Sequence, residues 1–502
     1  MSHRLVIVSH RAPVRRGGDV AGLPPMADIA LADSNTATPT LWFGWSGRLS
    51  QDPTSVVSIR RQGALTCVGV DLSTSQYEGH LTGFSHSTLW PVFHEMPVRM
   101  RFHADDLALY RAVNGMFAAR LAPLLRGGDK IWIHDYPLLP LGWMLRQCGM
   151  EAPLGFYLHI PFPAAETLWA LPWRRKLAED LAAYDFIGFQ SRRDLENFHA
   201  FMRCARLNLP VRGTDSRLYR EPAAEVLPVG IATRTTMAAA GSAEAQEQAA
   251  RFARCLTGRT MIIGADRLDY TKGLLERLHG YERLLAANRD LHGKIGFIQI
   301  TTPSRSLVPG YLELREAQKG LGQQINDRFG TQGWMPFYDI YGALAPSSLA
   351  ALYRNARAGL FTPLRDGASL MAKEYVAAQN PADPGMLVLS RQSGAADHLA
   401  EAVLVDPSDP ADIAKGVREA LRMPLGERQE RWRRMIVKLL HHDAAQWHHG
   451  FVDALGRAQR LNKAIGDAAV EPACAALGIS MQPRTGALAA TTVSAPCPET
   501  AS

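Results

Sequence analysis

A chain of 502 residues is longer than one hydrophobic core usually grows, so two domains are expected. Hydrophobic content of 47% and charged content of 21% describe a globular composition, and no apolar run nears the ~20 residues that span a bilayer. The formal charge of +7 is dispersed, which argues against a nucleic-acid-binding stripe. The six cysteines have no paired spacing, which argues against a disulfide framework or a thiolate zinc site and fits a cytoplasmic protein.

The N-terminus has too short an apolar run for a signal peptide and leads straight into a strand, Leu5-Val-Ile-Val-Ser9. Arg11 follows it, and then a loop holding Gly17, Gly18 and Gly22. Two aromatic runs, Leu41-Trp-Phe-Gly-Trp-Ser-Gly47 and Leu89-Trp-Pro-Val-Phe-His94, read either as core or as walls for a sugar, whose C–H faces pack on rings. Buried strands are predicted at Ile131-Trp-Ile-His134, Gly155-Phe-Tyr-Leu-His-Ile160 and Phe186-Ile-Gly-Phe-Gln190, with helices over 173–184 and 192–203. His134-Asp135-Tyr136 and His159-Ile-Pro-Phe-Pro163 put polar residues just after strands, although either histidine also reads as a satisfied core residue.

At 235–246 the composition turns Ala/Gly/Ser-rich, which suggests a domain boundary. The theme then repeats. A strand Met261-Ile-Ile-Gly264 is followed by a loop with Arg267 and Lys272, a forked guanidinium and a mobile ammonium suited to a diphosphate. The competing reading pairs those cations with Asp266 and Asp269 on the surface. A helix over 274–287, the strand Ile295-Gly-Phe-Ile-Gln-Ile300 with Arg305 after it, and a helix over 311–329 come next. The stretch Gly359-Leu-Phe-Thr reads as a strand that breaks at Pro363 and offers Arg365-Asp366-Gly367 in a turn. Ser369 can cap the helix predicted over 370–379, and such a strand–turn–helix is a ready anion site. The expected domains are 1–240 and 241–440, a helix over 441–465 packing back on the first domain, and a disordered tail over 466–502. Strands separated by helices predict an α/β protein with two parallel sheets, and ligands in such folds bind at the carboxyl ends of the strands. No metal-ligand spacing, dinucleotide fingerprint, phosphate-binding Walker loop or nucleophile elbow is present.

Many separated motifs, in order, resemble the trehalose-6-phosphate synthase family of retaining glycosyltransferases. They are Val8-Ser-His-Arg11, Trp42-Phe-Gly-Trp-Ser-Gly47, Leu89-Trp-Pro91, Trp132-Ile-His-Asp-Tyr136, Leu158-His-Ile-Pro-Phe-Pro163, Arg267-Leu-Asp-Tyr-Thr-Lys-Gly273, Thr362-Pro-Leu-Arg-Asp-Gly367, Ala372-Lys-Glu-Tyr375 and Leu387-Val-Leu-Ser390. The resemblance implies a GT-B fold, two Rossmann-like domains facing across a cleft. It implies that Arg267, Lys272 and the helix start at Leu370, Met371, Ala372 and Lys373 hold the diphosphate of a nucleotide-glucose, UDP-glucose being the expected form. Glu374 then holds the ribose, Asp366 the glucose hydroxyls and His159 the sugar near its reacting carbon, while Gly22 lets the backbone approach the donor. Arg11 and Arg305 grip the acceptor 6-phosphate, and Asp135 and Trp90 shape the acceptor pocket. Asp135, His159, Arg267, Lys272 and Asp366 form the implied catalytic set. Both partners are small molecules, with no cofactor, metal, nucleic acid or membrane; the resemblance leaves room for a homo-oligomer.

The chain departs from the family pattern at Ser9-His10-Arg11, at Ala21-Gly22-Leu23-Pro24-Pro25 and at Asp366-Gly-Ala-Ser369, where Ser is expected to cap as well as the family's Asn. Counting back from Trp90, a family tyrosine that touches the acceptor phosphate is replaced by Leu81, with Tyr77 four residues earlier. Three readings stay open: synthesis of α,α-trehalose 6-phosphate from glucose 6-phosphate, transfer to another phosphorylated acceptor such as a glycerol phosphate, or a catalytically silent sugar-phosphate-binding regulator.

Overall fold

The computed structural model describes residues 4–13, 39–51, 57–208, 221–256, 258–304 and 310–476. Gly22, the 21–25 loop and Arg305 lie outside the described residues. Eight strands form the first sheet: β1 (Leu5–Arg11), β2 (Thr40–Leu49), β3 (Val57–Gln62), β4 (Leu65–Leu72), β5 (Lys130–His134), β6 (Leu154–Tyr157), β7 (Phe186–Phe189) and β8 (Ala223–Val226). Six form the second: β9 (Thr260–Arg267), β10 (Ile295–Thr302), β11 (Phe337–Tyr341), β12 (Ala358–Phe361), β13 (Met386–Ser390) and β14 (Val403–Val405). All pairings are parallel except β3 with β4. The aromatic run from Leu41 is therefore a strand, β2.

The strand orders locate the ligand sites. The second sheet runs β11-β10-β9-β12-β13-β14, the doubly wound dinucleotide-fold order, and it reverses direction between β9 and β12. The first runs β3-β4-β2-β1-β5-β6-β7-β8 and reverses between β1 and β5. At such a point the connections leave in opposite directions and open a crevice at the strand ends. The residues after β1, β5, β9 and β12 are those the sequence singled out.

Parallel sheets need cover on both faces. In β1, Val6 and Val8 face one core and Leu5 and Ile7 the other. Helices of the first domain cover the Val6 side. The Leu5 side is covered from the far end of the chain, by the helix Ala444–Ala476. Its Trp447, Phe451, Leu455 and Ala458 lie three or four residues apart, on one helix face, and all are buried. Phe451 stacks on Trp132, centroids 4.1 Å apart and 8° from parallel. Gly155 leaves room for it, since a Cβ there would come within 2.7 Å of the Phe451 ring.

Two expectations change. The Ala/Gly/Ser-rich 235–246 stretch is not a linker but parts of two helices, Thr233–Gly241 and Ala243–Ala253, whose Ala240, Ala245 and Ala249 pack in the second core. Small residues there allow close helix contacts. The expected boundary at 240 thus falls inside a unit of the second domain, and the chain leaves the first sheet after Val226. The unstructured tail expected from 466 also starts too early, because the last helix continues through Ala476 over an Ala-rich run that favours helix. Among the described residues no helix is long and apolar enough to cross a membrane. Replacing Phe451 with Ala should cost about 3–5 kcal/mol, read as a lower urea midpoint, because it opens a cavity between helix and sheet.

Candidate active site

At the second crevice, Arg267 ends β9 and is exposed. After it Asp269 accepts from Thr271 N and Oγ1, both at 3.1 Å, and closes a tight turn that presents Lys272. Gly273 has φ +63°, and a Cβ there would overlap Thr362 O, so only glycine lets this turn lie on the end of β12. The two loops are bonded main chain to main chain, Leu364 N to Thr271 O at 2.8 Å. Lys272 Nζ meets Asp366 Oδ1 at 2.9 Å. Burial pushes the Asp366 carboxyl up, but Lys272 and then the Ser369 hydroxyl outweigh it and hold it below the usual range.

Ser369 does not cap the helix Leu370–Ala378. It sits in the left-handed region (φ 45°, ψ 52°), and its Oγ donates to Asp366 Oδ2 at 2.6 Å while accepting from Ser393 Oγ at 2.7 Å. Its hydroxyl is committed to the carboxylate, so the helix start has no side-chain cap. Ala372 N and Lys373 N both bond to Ser369 O, at 3.1 and 3.4 Å. That leaves the N–H groups of Leu370 and Met371 for an anion, a narrower set than the expected four residues. The Lys373 side chain points away: buried, its Nζ donates to Val229 O at 2.5 Å, and burial lowers its pKa to about 8. Glu374 makes no hydrogen bond or ion pair among the described residues, and burial raises its carboxyl to about 7.

At the first crevice, the Arg11 guanidinium lies 5.8 Å from the Trp45 ring, and Tyr77 packs on that ring at 5.1 Å. Leu81 is buried. Tyr77 and Arg11 both pack on the Trp45 ring. Asp135 has φ 72°, and its Oδ1 accepts from His159 N at 3.2 Å. His159 Nε2 is 3.0 Å from His134 Nδ1, and burial lowers the His159 pKa to about 3, so both rings are neutral.

The two crevices face each other at contact. A Cβ on Gly367 would overlap His159 O, so the turn carrying Asp366 seats on the main chain that carries His159. Arg267 reaches across to the buried Trp90, 5.9 Å from its ring. A model of Glycosyltransferase family 20 matches residues 19–457. The chain belongs to glycosyltransferase family 20. A trehalose-6-phosphate synthase of Sinorhizobium fredii is 40% identical over 457 residues, 90% of this chain and 98% of that protein. A solved α,α-trehalose-phosphate synthase (UDP-forming) from Burkholderia xenovorans, in complex with glucose-6-phosphate, superposes with a TM-score of 0.83 at 36% identity, covering 90% of this chain and 100% of that one. The Escherichia coli protein bound with UDP-2-fluoro glucose superposes with a TM-score of 0.81 at 35% identity, covering 90% and 98%.

Within this family 20 site the surface pairing of Arg267 and Lys272 with Asp266 and Asp269 is ruled out. Asp266 is taken by Arg277, which the sequence reading passed over as one more helical arginine. Arg277 is fully buried. It bonds Asp266 Oδ2 at 2.5 Å, Gln299 Oε1 at 2.9 Å, Thr362 Oγ1 at 3.1 Å and Lys272 O at 3.3 Å. His94 was also passed over; its ring is 4.0 Å from Trp90 and lies near Asp269, Asp366 and Lys272. The signal available for Arg277 was its place one helical turn after Gly273, facing the strand ends. Arg277→Met should destabilise the protein by about 3–5 kcal/mol in urea unfolding, because Asp266 would remain buried without its counter-charge.

Proposed function

We propose that this protein transfers glucose from UDP-glucose to glucose 6-phosphate with retention, giving α,α-trehalose 6-phosphate and UDP. The observation that carries the reading is the apposition of an anion-binding crevice, Arg267, Lys272 and the Leu370–Met371 amides, with an Arg11–Tyr77 crevice suited to a sugar phosphate. The relatives with bound glucose-6-phosphate and UDP-2-fluoro glucose support the same pair of substrates. Tyr77, which shares the Trp45 ring with Arg11, offers a phenol to the acceptor phosphate in place of the tyrosine missing at Leu81.

The chemistry follows from charge. Cleaving the glucosyl–phosphate bond leaves a cationic sugar and a diphosphate of growing negative charge. Arg267, Lys272 and the open helix start stabilise that leaving group as its charge grows. Asp366, held ionised, accepts from glucose hydroxyls and balances Lys272. His159 stays neutral, so it places no repelling charge beside the cationic carbon. With a pKa of about 3 it is also too weak a base to take the acceptor proton. That proton passes to the departing phosphate oxygen on the same face, which preserves the anomeric configuration. Arg11 fixes the acceptor by its phosphate, and Asp135 orients its ring.

The test is a panel: the protein incubated with UDP-glucose and several phosphorylated acceptors. UDP release with glucose 6-phosphate is expected, and release with a different acceptor alone overturns the assignment. Arg267→Ala should lower turnover by at least ~100-fold with the fold intact, since it removes a contact that strengthens in the transition state. Glu374 supplies a separate readout. Ribose hydroxyls are held by the ionised carboxylate, whereas near pH 7 the free protein keeps it about half protonated. Donor binding should therefore release a proton, and affinity for UDP should rise about tenfold between about pH 6 and pH 8. Titration calorimetry in buffers of different ionisation enthalpy checks this, and Glu374→Gln should erase the step.

A further inference from the structure

Among the described residues, three that are not glycine have clearly positive φ: Asp135, Ser369 and Glu95 (φ 58°). Such backbone is strained and persists where its surroundings over-determine it, often at functional sites. Asp135 and Ser369 stand on the two walls of the cleft. Glu95 has no role in holding substrate, yet it directly follows His94, the ring beside Asp366 and Lys272.

Its carboxylate is engaged on both sides of the cleft. Oε1 accepts from Ala164 N at 3.2 Å, in the loop after His159. Oε2 lies 3.2 Å from Arg193 Nη2 and 3.6 Å from Arg365 Nε. Arg365 belongs to the second domain, immediately precedes Asp366 and is only 6% exposed. Its other carboxylate neighbour, Asp194 at 3.9 Å, is also a first-domain residue. Arg193 in turn donates to Gln392 Oε1 at 3.0 Å, and the main-chain oxygen of Gln392 accepts from Asp366 N at 3.3 Å. Asp366 is thus bracketed by two residues, Arg365 and Gln392, that are both held from the opposite domain.

Resting on the donor-site reading above, we propose that Glu95 is a positioning residue that couples closure of the two domains to assembly of the donor pocket. A guanidinium removed from water needs a counter-charge. Both of these Arg365 neighbours come from the first domain, so Arg365 is compensated when the domains meet and solvated when they part. Without Glu95, closure would bury Arg365 beside the more distant Asp194 alone. The closed form, in which Gly367 seats on His159, loses population, and apparent donor affinity falls by the same fraction.

Two variants and one distance separate this from a merely structural role. Glu95→Gln keeps the volume and removes the charge; Glu95→Gly removes the carboxylate and relieves the positive φ. Both should raise the KM for UDP-glucose by about tenfold while kcat changes less than about threefold. The thermal midpoint of Glu95→Gly should be no lower than that of the unaltered protein. Added salt should raise the KM of the unaltered protein more steeply than that of Glu95→Gln, in which only the screening of the diphosphate itself remains. Spin labels, one per domain, should report a short-distance population without ligand that Glu95→Gln loses. That measurement needs no turnover, so it supports or sinks the clasp independently of whether UDP-glucose and glucose 6-phosphate prove to be the substrates. A KM within about twofold of normal with an unchanged distance distribution in both variants overturns the proposal. So does a loss of stability and kcat together at unchanged KM.

Discussion

The buried guanidinium of Arg277 is the constraint on which the donor half depends. Three parallel strands end at this place, and each brings main-chain or side-chain oxygens that water no longer reaches. One planar fork satisfies Asp266 from β9, Gln299 from β10, Thr362 after β12 and the main chain of Lys272. Lysine, with a single point of charge, could not span four acceptors in one plane. Because Asp266 is consumed there, Arg267 and Lys272 remain available to the cleft. The neighbouring turn uses Asp366 in the same economical way, accepting from Ser369 and facing Lys272, so Arg277 and Lys272 each have an anion before any ligand arrives.

The first-domain wall works by the opposite principle, exclusion of charge. His134 and His159 bond to one another inside an aromatic surround that includes Trp132, Tyr157 and Trp447. Desolvation keeps both neutral. A sugar carbon that becomes cationic thus meets neutral rings on one side and the polyanionic leaving group on the other. Strain is concentrated at the same cleft: Asp135, Ser369 and Glu95 all sit where strand or helix ends turn sharply into it.

Most of the fold was legible in the sequence wherever a strand was a continuous apolar run. The helices Leu274–Ala287 and Tyr311–Phe329 coincide with their expected bounds. What escaped was set by tertiary context. β2 hides in an aromatic run that reads equally well as a pocket wall. The 235–246 stretch has linker composition because its alanines lie between packed helices. At the site, residue types after strand ends pointed to Arg11, Asp135, His159, Arg267, Lys272 and Asp366; the structure bonds Asp135 to His159, pairs Lys272 with Asp366 and seats Gly367 on His159, while Arg11 packs on Trp45. The Ser369 cap failed because its backbone is left-handed rather than extended as a capping residue's is, and its hydroxyl instead donates to Asp366 and accepts from Ser393. The π-helix Glu78–Leu89 between Tyr77 and Trp90 was not legible, and it changes which residues share a face. Glu95 carries no sequence signature, since its importance lies entirely in what it meets, and Arg277 carries only its place one helical turn after Gly273.

The helix Ala444–Ala476 gives the molecule a particular history. Its Trp447, Phe451 and Leu455 are core residues of a sheet whose strands were all made before Thr233. During synthesis the strands β1 to β8 emerge first, yet the Trp447, Phe451 and Leu455 side chains that pack on one face of their sheet do not exist until the chain has been made through Leu455. For that whole interval Trp132 lacks the Phe451 ring that stacks on it, while the second sheet can finish without that helix. The first domain to be translated is therefore the last to be completed, and a chain stopped short of this helix leaves the ribosome with Trp132 missing its Trp447 and Phe451 partners, a ready target for holding chaperones and proteases.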